Sequence, residues 1–145
     1  MKTWMKILLG LFIVGIISAF LVYKYIYNKQ HPDYENIAPS VTLGTQDFYT
    51  AFKNNKVAAS QLYNGKVIAL TGKLNKIESV DTMVTAVFVF NQGMFGDEGI
   101  RCTMLKKYND AARKLQPDGE VKIKGYCTGF NDTDVILDKC SIINQ

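Results

Sequence analysis

The sequence has one histidine and three cysteines among its 145 residues. The histidine, His31, lies just after a long apolar run and outside the predicted folded domain, so no Ser–His or Cys–His pair can form within that domain. No two cysteines form a Cys-x-x-Cys pair, and no second histidine could complete a metal site with them. The sequence therefore argues against an enzyme, and it predicts no catalytic residues, no metal site and no cofactor.

A surplus of positive charge is also missing from most of the chain. The chain has 17 basic and 13 acidic side chains, and four of the lysines but only two of the carboxylates lie before residue 40. The positive and negative charges of the remaining residues are close to balanced. Phosphate contacts supply much of the affinity of nucleic-acid-binding domains, which usually carry a clear basic surplus. This balance disfavours nucleic acid as the partner.

The sequence has one long apolar run, close to the N-terminus. Ile7 to Tyr23 has no charged residue and would be about 25 Å long as a helix, close to the thickness of a bilayer. Aromatic residues flank it, as in interfacial belts. A cleaved signal peptide is the alternative, but large residues follow Ser18 and Ala19 where small ones would be needed. We therefore predict a single-pass anchor over residues 1–29, in the cell membrane.

The lysines around the run indicate its orientation. Lys2, Lys6 and the terminal amine precede the run, and Lys24 and Lys29 follow it. The positive-inside rule then favours a cytoplasmic N-terminus and an extracytoplasmic C-terminal domain. Residues 30–44 contain two prolines and are predicted to be a linker.

Hydrophobic periodicity divides the rest of the chain, residues 45–145, into helices and strands. A helical segment over residues 45–63 precedes an alternating run over 65–77, a β-branched and aromatic run over 83–90, and a third strand over 100–105. A short amphipathic helix follows, and residues 120–127 and 134–143 form a hairpin. Five strands with a helix between the third and fourth predict a β class domain with short helices, namely a five-stranded OB-fold barrel.

The order and spacing of residues from about 45 to 143 resemble the tRNA_anti-like OB-fold family of bacterial lipoproteins and membrane-anchored proteins. The residues that carry the resemblance are Phe52, Asn54, Ala58, Tyr63, Gly65, Lys66, Ile68, Thr71, Gly72, Cys102, Lys124, Gly125, Cys127, Gly129, Leu137, Cys140 and Ile142. The resemblance implies an OB barrel and a location in the cell envelope. A transmembrane anchor would replace the lipid here, because the chain lacks the lipid-accepting cysteine.

The predicted hairpin leaves the state of the cysteines open. Cys127 faces Cys140, within disulfide range, if the loop is the four residues 132–135. A two-residue turn would instead place Ile136 opposite Cys127. Cys102 could also meet Cys140 across the barrel, and three buried free thiols are a further alternative.

The candidate ligand face lies on the first three strands. It comprises Lys73, Lys76, Phe88, Phe90, Phe95 and Arg101, although both phenylalanines of the second strand could equally be core residues. Loops near residues 77–82 and 130–134 would border it. The sequence thus favours a non-enzymatic binding or interaction module on the outer side of the bacterial cytoplasmic membrane, with an envelope protein, a glycan or a small ligand as its partner. The alternative is a binder of single-stranded oligonucleotides on the cytoplasmic face, using stacking aromatics and basic residues.

Overall fold

The computed structural model describes residues 2–27 and 32–143. The chain divides into two units, Met1–Pro32 and Asp33–Gln145. His31 lies outside the described residues. The predicted boundaries of the anchor, the linker and the folded domain, between residues 29 and 30 and between residues 44 and 45, stay predictions.

The first unit contains one helix, α1, from Thr3 to Tyr27. Its most apolar window has a mean hydropathy of 2.5, and by length and composition the helix could cross a membrane. A signal sequence has the same properties. The N-terminal apolar helix predicted from the sequence is therefore present, and its role as an anchor is taken up below.

The second unit is mostly β-sheet with short helices. Its elements in chain order are β1 (Val41–Gly44), α2 (Thr45–Asn54), α3 (Lys56–Tyr63), β2 (Val67–Lys73), β3 (Lys76–Val80), β4 (Met83–Gly93), β5 (Gly96–Met104), a 3-10 turn (Lys106–Tyr108), α4 (Asn109–Arg113), β6 (Glu120–Phe130) and β7 (Val135–Ile142). Asn55 separates α2 from α3, and its side-chain oxygen accepts a hydrogen bond from the Ala58 amide at 3.1 Å. An asparagine N-cap of this kind explains why a second helix begins immediately after the first.

The strands form one seven-stranded sheet in the order β1-β2-β6-β7-β5-β4-β3. It is not closed, because β1 and β3 are its two edges, so the predicted five-stranded barrel is not confirmed. One reason is that the predicted linker supplies an extra strand, β1, which pairs in parallel with β2. The other is that the predicted first strand is divided at Leu74 and Asn75 into β2 and β3, which pair with β6 and β4 respectively.

The core lies between the sheet and α2. Phe48 and Phe52 are one helical turn apart on α2 and meet edge-to-face, with ring centroids 5.3 Å apart. Both are buried, together with Ile68 and Leu70 of β2. Phe88 of β4 is fully buried in the same core. Phe88 therefore presents no surface to a ligand, because its side of β4 faces the core.

Residues before β1 pack on the sheet. The ring of Tyr34 packs at a tilt against that of Tyr126 of β6, with ring centroids 4.7 Å apart. The Lys124 ammonium donates to the Glu35 carbonyl at 2.6 Å and to the Ile37 carbonyl at 3.0 Å. The Glu35 carboxylate forms an ion pair with Lys107. This part of the predicted linker is therefore ordered against the domain.

The β6–β7 hairpin differs from the register that would pair Cys127 with Cys140. Its four-residue loop is 131–134, one position earlier than that register requires, and Cys127 lies opposite Leu137. The Asn131 side chain holds this loop by accepting hydrogen bonds from the amides of Thr133 (3.1 Å) and Asp134 (2.7 Å). Of the alternatives that the sequence left open, the register that places Cys127 opposite Cys140 is not the one observed, because side-chain hydrogen bonds select the earlier loop.

All three cysteines are buried free thiols in the structure. The Cys127 thiol donates to the Asn64 side-chain oxygen at 3.7 Å. Burial raises the pKa of Cys127 to about 12, and burial also raises the pKa of Cys140 well above its usual value. Such thiols are poor nucleophiles in the folded domain.

Candidate functional site: a charged groove beside a hairpin tip

The site lies across neighbouring strands β3, β4 and β5. Val87 of β4 is the register partner of both Lys76 on β3 and Arg101 on β5. Register partners on neighbouring strands point to the same side of a sheet, so Lys76 and Arg101 lie on one side, opposite the core. The register of these strands thus explains how two cations distant in sequence come together.

Carboxylates fix both cations. Arg101 contacts Glu78 through Nη1 at 2.7 Å and Asp134 through Nε at 3.1 Å. Lys76 contacts Glu78 at 3.0 Å and Asp97 at 2.9 Å. The two cations and three carboxylates form a continuous network, so each charge already has a partner within the domain.

Asp134 is the most buried member of this network. Its side chain is 11% exposed, and its Oδ1 accepts a hydrogen bond from the Gly99 amide at 2.9 Å. Asp134 ends the 131–134 loop, so this contact joins that loop to β5. A charge-assisted hydrogen bond to a backbone amide is a strong and well-directed contact. It holds the loop in place beside the groove.

The ion pairs shift the pKa values of their members. A hydrogen bond from Lys76 holds the pKa of Asp97 below its usual value, and hydrogen bonds to Asp97 and Glu78 raise the pKa of Lys76. Both groups are therefore held in their charged forms near neutral pH. A group held in one charge state is poorly suited to proton transfer at that pH.

A two-residue turn joins β4 to β5 and forms the rim of the groove. Gly93 pairs with Gly96, and the turn residues Met94 and Phe95 are 92% and 94% exposed. Gly96 has a φ of +123°, a conformation that favours glycine. We call Met94 and Phe95 the hairpin tip.

Polar contacts brace the hairpin below its tip. Gln92 donates to Asp97 at 3.0 Å, and Asn91 donates to Glu98 at 3.0 Å. Lys53 of α2 reaches Glu98 at 3.2 Å, which links the hairpin to the helical layer. The tip therefore presents two apolar side chains on a supported base.

The groove has a volume of about 370 Å³. Three of the predicted ligand residues, Lys76, Phe95 and Arg101, line it together with Asp97 and Asp134. This volume is within the range of ligand-binding clefts. Three of the six residues predicted for the ligand face therefore lie together on one surface.

The other three predicted residues lie elsewhere. Phe88 is a core residue, and Phe90 is half-buried and stacks on Tyr49 with ring centroids 5.1 Å apart. Lys73 ends β2, where its register partner is Glu120 of β6, and it does not line the groove. Among the residues that the structure describes, no group of three or more His, Cys, Asp or Glu side chains could hold a metal ion.

Sequence reasoning missed the three carboxylates that neutralise the groove and the exposed Met94. The Lys76-x-Glu78 spacing was the available signal, since residues two apart on a strand share a face. Asp134 could not be found in this way, because its contact with Arg101 depends on the loop.

Comparison with known proteins places the chain in a family. A family model described as tRNA_anti-like matches residues 1–142. The chain belongs to the tRNA_anti-like family. This confirms the resemblance found in the sequence, and it identifies the chain as an OB-fold domain preceded by an N-terminal apolar helix.

A solved structure shares the fold. A protein from Klebsiella pneumoniae, named as a proposed nucleic acid-binding lipoprotein, matches with a TM-score of 0.50 and 22% identity, over 71% of this chain and 91% of that one. An aspartyl-tRNA synthetase from Entamoeba histolytica matches with a TM-score of 0.46 and 11% identity, over 80% of this chain and 23% of the synthetase. No curated protein sequence matches the chain.

Proposed function

We propose that this chain is a membrane-anchored, non-enzymatic OB-fold module that binds an envelope protein through the hairpin tip and the charged groove. The observation that carries the proposal is the exposure of Met94 and Phe95 next to a fixed arginine. Aromatic residues, methionine and arginine are enriched in protein interfaces. A glycan or a small ligand confined to the groove would contact Phe95 but would leave Met94 uncovered.

The charge of the groove supports a protein partner over a polyanion. Its three carboxylates outnumber its two cations, and every cation is paired internally. A polyphosphate chain would have to displace carboxylates before it could contact Lys76 or Arg101. A protein with mixed charge can instead meet groups of both signs.

The OB barrel predicted from the sequence belongs to this proposal. The strands β2 and β3 would act as the two halves of one bent strand that joins the ends of the sheet. Support comes from the bend itself, where the Leu74 amide donates to Gly119 at 3.0 Å and the Asn75 amide donates to Val87 at 3.1 Å. The backbone at the bend is thus bonded to the chain on both sides of the gap.

The helix α1 would be the anchor, with the domain on the outer side of the cytoplasmic membrane. Its composition supports a spanning role, because it has 25 residues and no acidic side chain. Lys2 and Lys6, which precede the uncharged run of the helix, favour a cytoplasmic N-terminus. Anchoring confines the module to partners in the same membrane or next to it.

Site-specific photo-crosslinking tests the binding surface. A benzophenone amino acid replaces Phe95 in the full-length protein, and the matched control replaces Val57, an exposed residue of α3. Irradiation of native membranes should give one discrete protein adduct from position 95 and none from position 57. The same diffuse pattern from both positions would contradict the proposal.

Binding of single-stranded nucleic acid is the second candidate. The proposed name of the Klebsiella protein favours it, as does the presence of Phe95 beside Lys76 and Arg101, since single-stranded binders combine aromatic stacking with basic residues. Fluorescence anisotropy with a labelled oligonucleotide at 20 to 300 mM salt tests it. Binding that weakens steeply with salt and is lost in Phe95→Ala would support this candidate, and no binding at the lowest salt would remove it.

A further inference from the structure

A bulge in β7 places a lysine in a strained conformation. Between the register pairs Cys102–Leu137 and Met104–Cys140, β7 has two residues, Asp138 and Lys139, where β5 has only Thr103. Lys139 has a φ of +54°. A bulge with one extra residue redirects the local side chains, and such bulges are common next to binding sites.

The identity of this residue is unexpected for its conformation. The other non-glycine residues with positive φ among those described are Asp81, Asp118 and Asp132. All three lie between elements, and aspartate tolerates the left-handed region because its short side chain bonds locally. Lys139 has no such compensation and lies inside a strand. Glycine or asparagine would adopt this backbone at lower cost, which suggests that the lysine side chain is used.

Lys139 borders a second groove, of about 520 Å³, distinct from the charged groove. Met83, Met104 and Leu105 give it an apolar floor, and Lys106 is a second basic residue on its edge. We call this the bulge groove. Its volume and mostly apolar lining are typical of sites for small ligands.

The charges of the bulge groove are not neutralised as those of the charged groove are. Within residues 2–27 and 32–143, no ion pair or side-chain hydrogen bond involves Lys106, Lys139 or Asp138. Two ammonium groups and one carboxylate thus remain available beside an apolar surface. The net charge favours an anionic ligand, and Asp138 disfavours one with several negative charges.

We propose that the bulge groove binds a small amphipathic anion, with one carboxylate or phosphate head group held by Lys106 and Lys139 and an aliphatic body on Met83, Met104 and Leu105. This site is separate from the proposed protein-binding surface and does not depend on it. The bulge at Lys139 places this residue on the lining of the groove, together with Lys106.

Methionine methyl NMR tests the proposal directly. The full-length protein, labelled with ¹³C-methyl methionine, is held in nanodiscs of neutral lipid and titrated separately with octanoate, octyl phosphate and the uncharged octyl glucoside. The methyl signals of Met83 and Met104 should shift and saturate with one or both anions and respond much less to the glucoside. Met94, at the hairpin tip, and Met5, in α1, are internal controls. The anion that binds more tightly, octanoate or octyl phosphate, shows whether the site prefers a carboxylate or a phosphate head group.

Four variants separate ligand binding from folding. Lys139→Gln should weaken binding about tenfold, as expected for loss of one charge-assisted hydrogen bond, and Lys139→Arg should retain most of it. Asp138→Asn should strengthen binding, because a repelling carboxylate is removed. Lys139→Gly should raise the melting temperature while it weakens binding, because it relieves the strain and removes the ammonium.

Three outcomes would overturn the proposal. They are no shift at Met83 and Met104 with either anion, equal shifts with octyl glucoside, and equal shifts of all the methionine methyls. Unchanged affinity in Lys139→Gln would overturn the assigned role of that lysine, and a folded Lys139→Gly variant with full affinity would do the same.

Discussion

At the scale of single residues, the lack of a side chain at Gly99 allows β4 and β5 to pack closely below the charged groove. A Cβ added there would lie 1.8 Å from the Phe88 carbonyl oxygen, which is backbone and cannot turn away. Gly99→Ala must therefore separate the two strands, and we expect it to lower the free energy of unfolding by about 1–3 kcal/mol. Thermal unfolding followed by circular dichroism measures this. Gly44→Ala is the control, because the nearest atom to its Cβ would be 3.7 Å away. Equal stability of the two variants would contradict the strand spacing described above.

Glu35 gives the domain a predictable dependence on pH. Hydrogen bonds from Lys107 and from the Tyr108 hydroxyl (2.5 Å) hold the pKa of Glu35 below its usual value. A carboxyl with a lowered folded pKa contributes stability above its unfolded pKa, about 4.3, and loses that contribution as the pH falls through the folded pKa. The difference in melting temperature between the native protein and Glu35→Gln should be constant from pH 8 to 6 and should shrink below about pH 4.3.

A matched variant isolates this effect from other carboxylates. Glu120→Gln removes a charge from β6 that forms no ion pair within the described residues. The difference between the native protein and this variant should show no comparable change over the same pH range. A Glu35→Gln difference that grows on acidification would have the wrong sign and would contradict the assigned hydrogen bonds.

Phe88 and Phe90 of β4 show which residues could not be assigned to core or surface from the sequence. Alternation along a strand normally separates core from surface positions, but residues 83–90 are apolar on both faces, so the pattern could not assign Phe88 and Phe90 to a side. Phe95 lies in a glycine-rich turn and is exposed, and its role as a ligand residue stays a prediction. Its neighbour Met94 has the same environment and gave no separate signal.

At the scale of elements, α2 holds the helical layer on the sheet through two phenylalanines. Phe52 is 1% exposed and contacts Phe48, Tyr63 and Phe130 with ring centroids within 6 Å. We expect Phe52→Ala to cost about 3–5 kcal/mol of unfolding free energy, because it leaves a cavity between layers. Leu62→Ala on the exposed side of α3 should cost less than about 1 kcal/mol. Chemical denaturation measures the free energy of unfolding of both variants. A smaller loss for Phe52→Ala than for Leu62→Ala would contradict the packing described for Phe52.

The adjacent strands β5, β7 and β6 each contribute one cysteine to the core. Because all three thiols are buried, and because burial raises the pKa of Cys127 and Cys140, iodoacetamide at pH 8 should modify none of them in the folded protein. Denaturant without a reductant should make all three reactive together. Mass spectrometry counts the added groups. A bonded pair in protein taken from its native membrane would leave one reactive thiol instead, and would show that the free-thiol state is not the cellular one.

The sequence predicted the type and order of most elements, but it did not predict how the strands pair or where they break. Periodicity located the helical segment, the strands and the final hairpin, since those signals are local. The extra strand β1, the division at Leu74 and Asn75 and the bulge at Lys139 all depend on which strand pairs with which. Pairing is a tertiary property, so a single sequence with Pro39 nearby favoured a linker where a strand forms.

At the scale of the whole molecule, the chain joins an apolar helix to an OB-fold domain of the tRNA_anti-like family. The balanced charge seen in the sequence has a structural counterpart, because the groove cations are neutralised inside the domain. We propose two binding surfaces on the domain, namely the hairpin tip with its charged groove and the bulge groove. We propose that a partner on the outer side of the membrane covers the hairpin tip.

Thiol labelling of intact cells tests that claim most directly. Phe95→Cys and Val57→Cys each add one exposed thiol to a protein whose own thiols are buried. A membrane-impermeant maleimide is applied to intact spheroplasts and, separately, to the purified proteins. We predict that Cys introduced at position 57 labels in both samples, whereas Cys introduced at position 95 labels when purified but is protected in spheroplasts. Equal labelling of both positions in spheroplasts would contradict the covered tip, and labelling of neither until lysis would contradict the outer location.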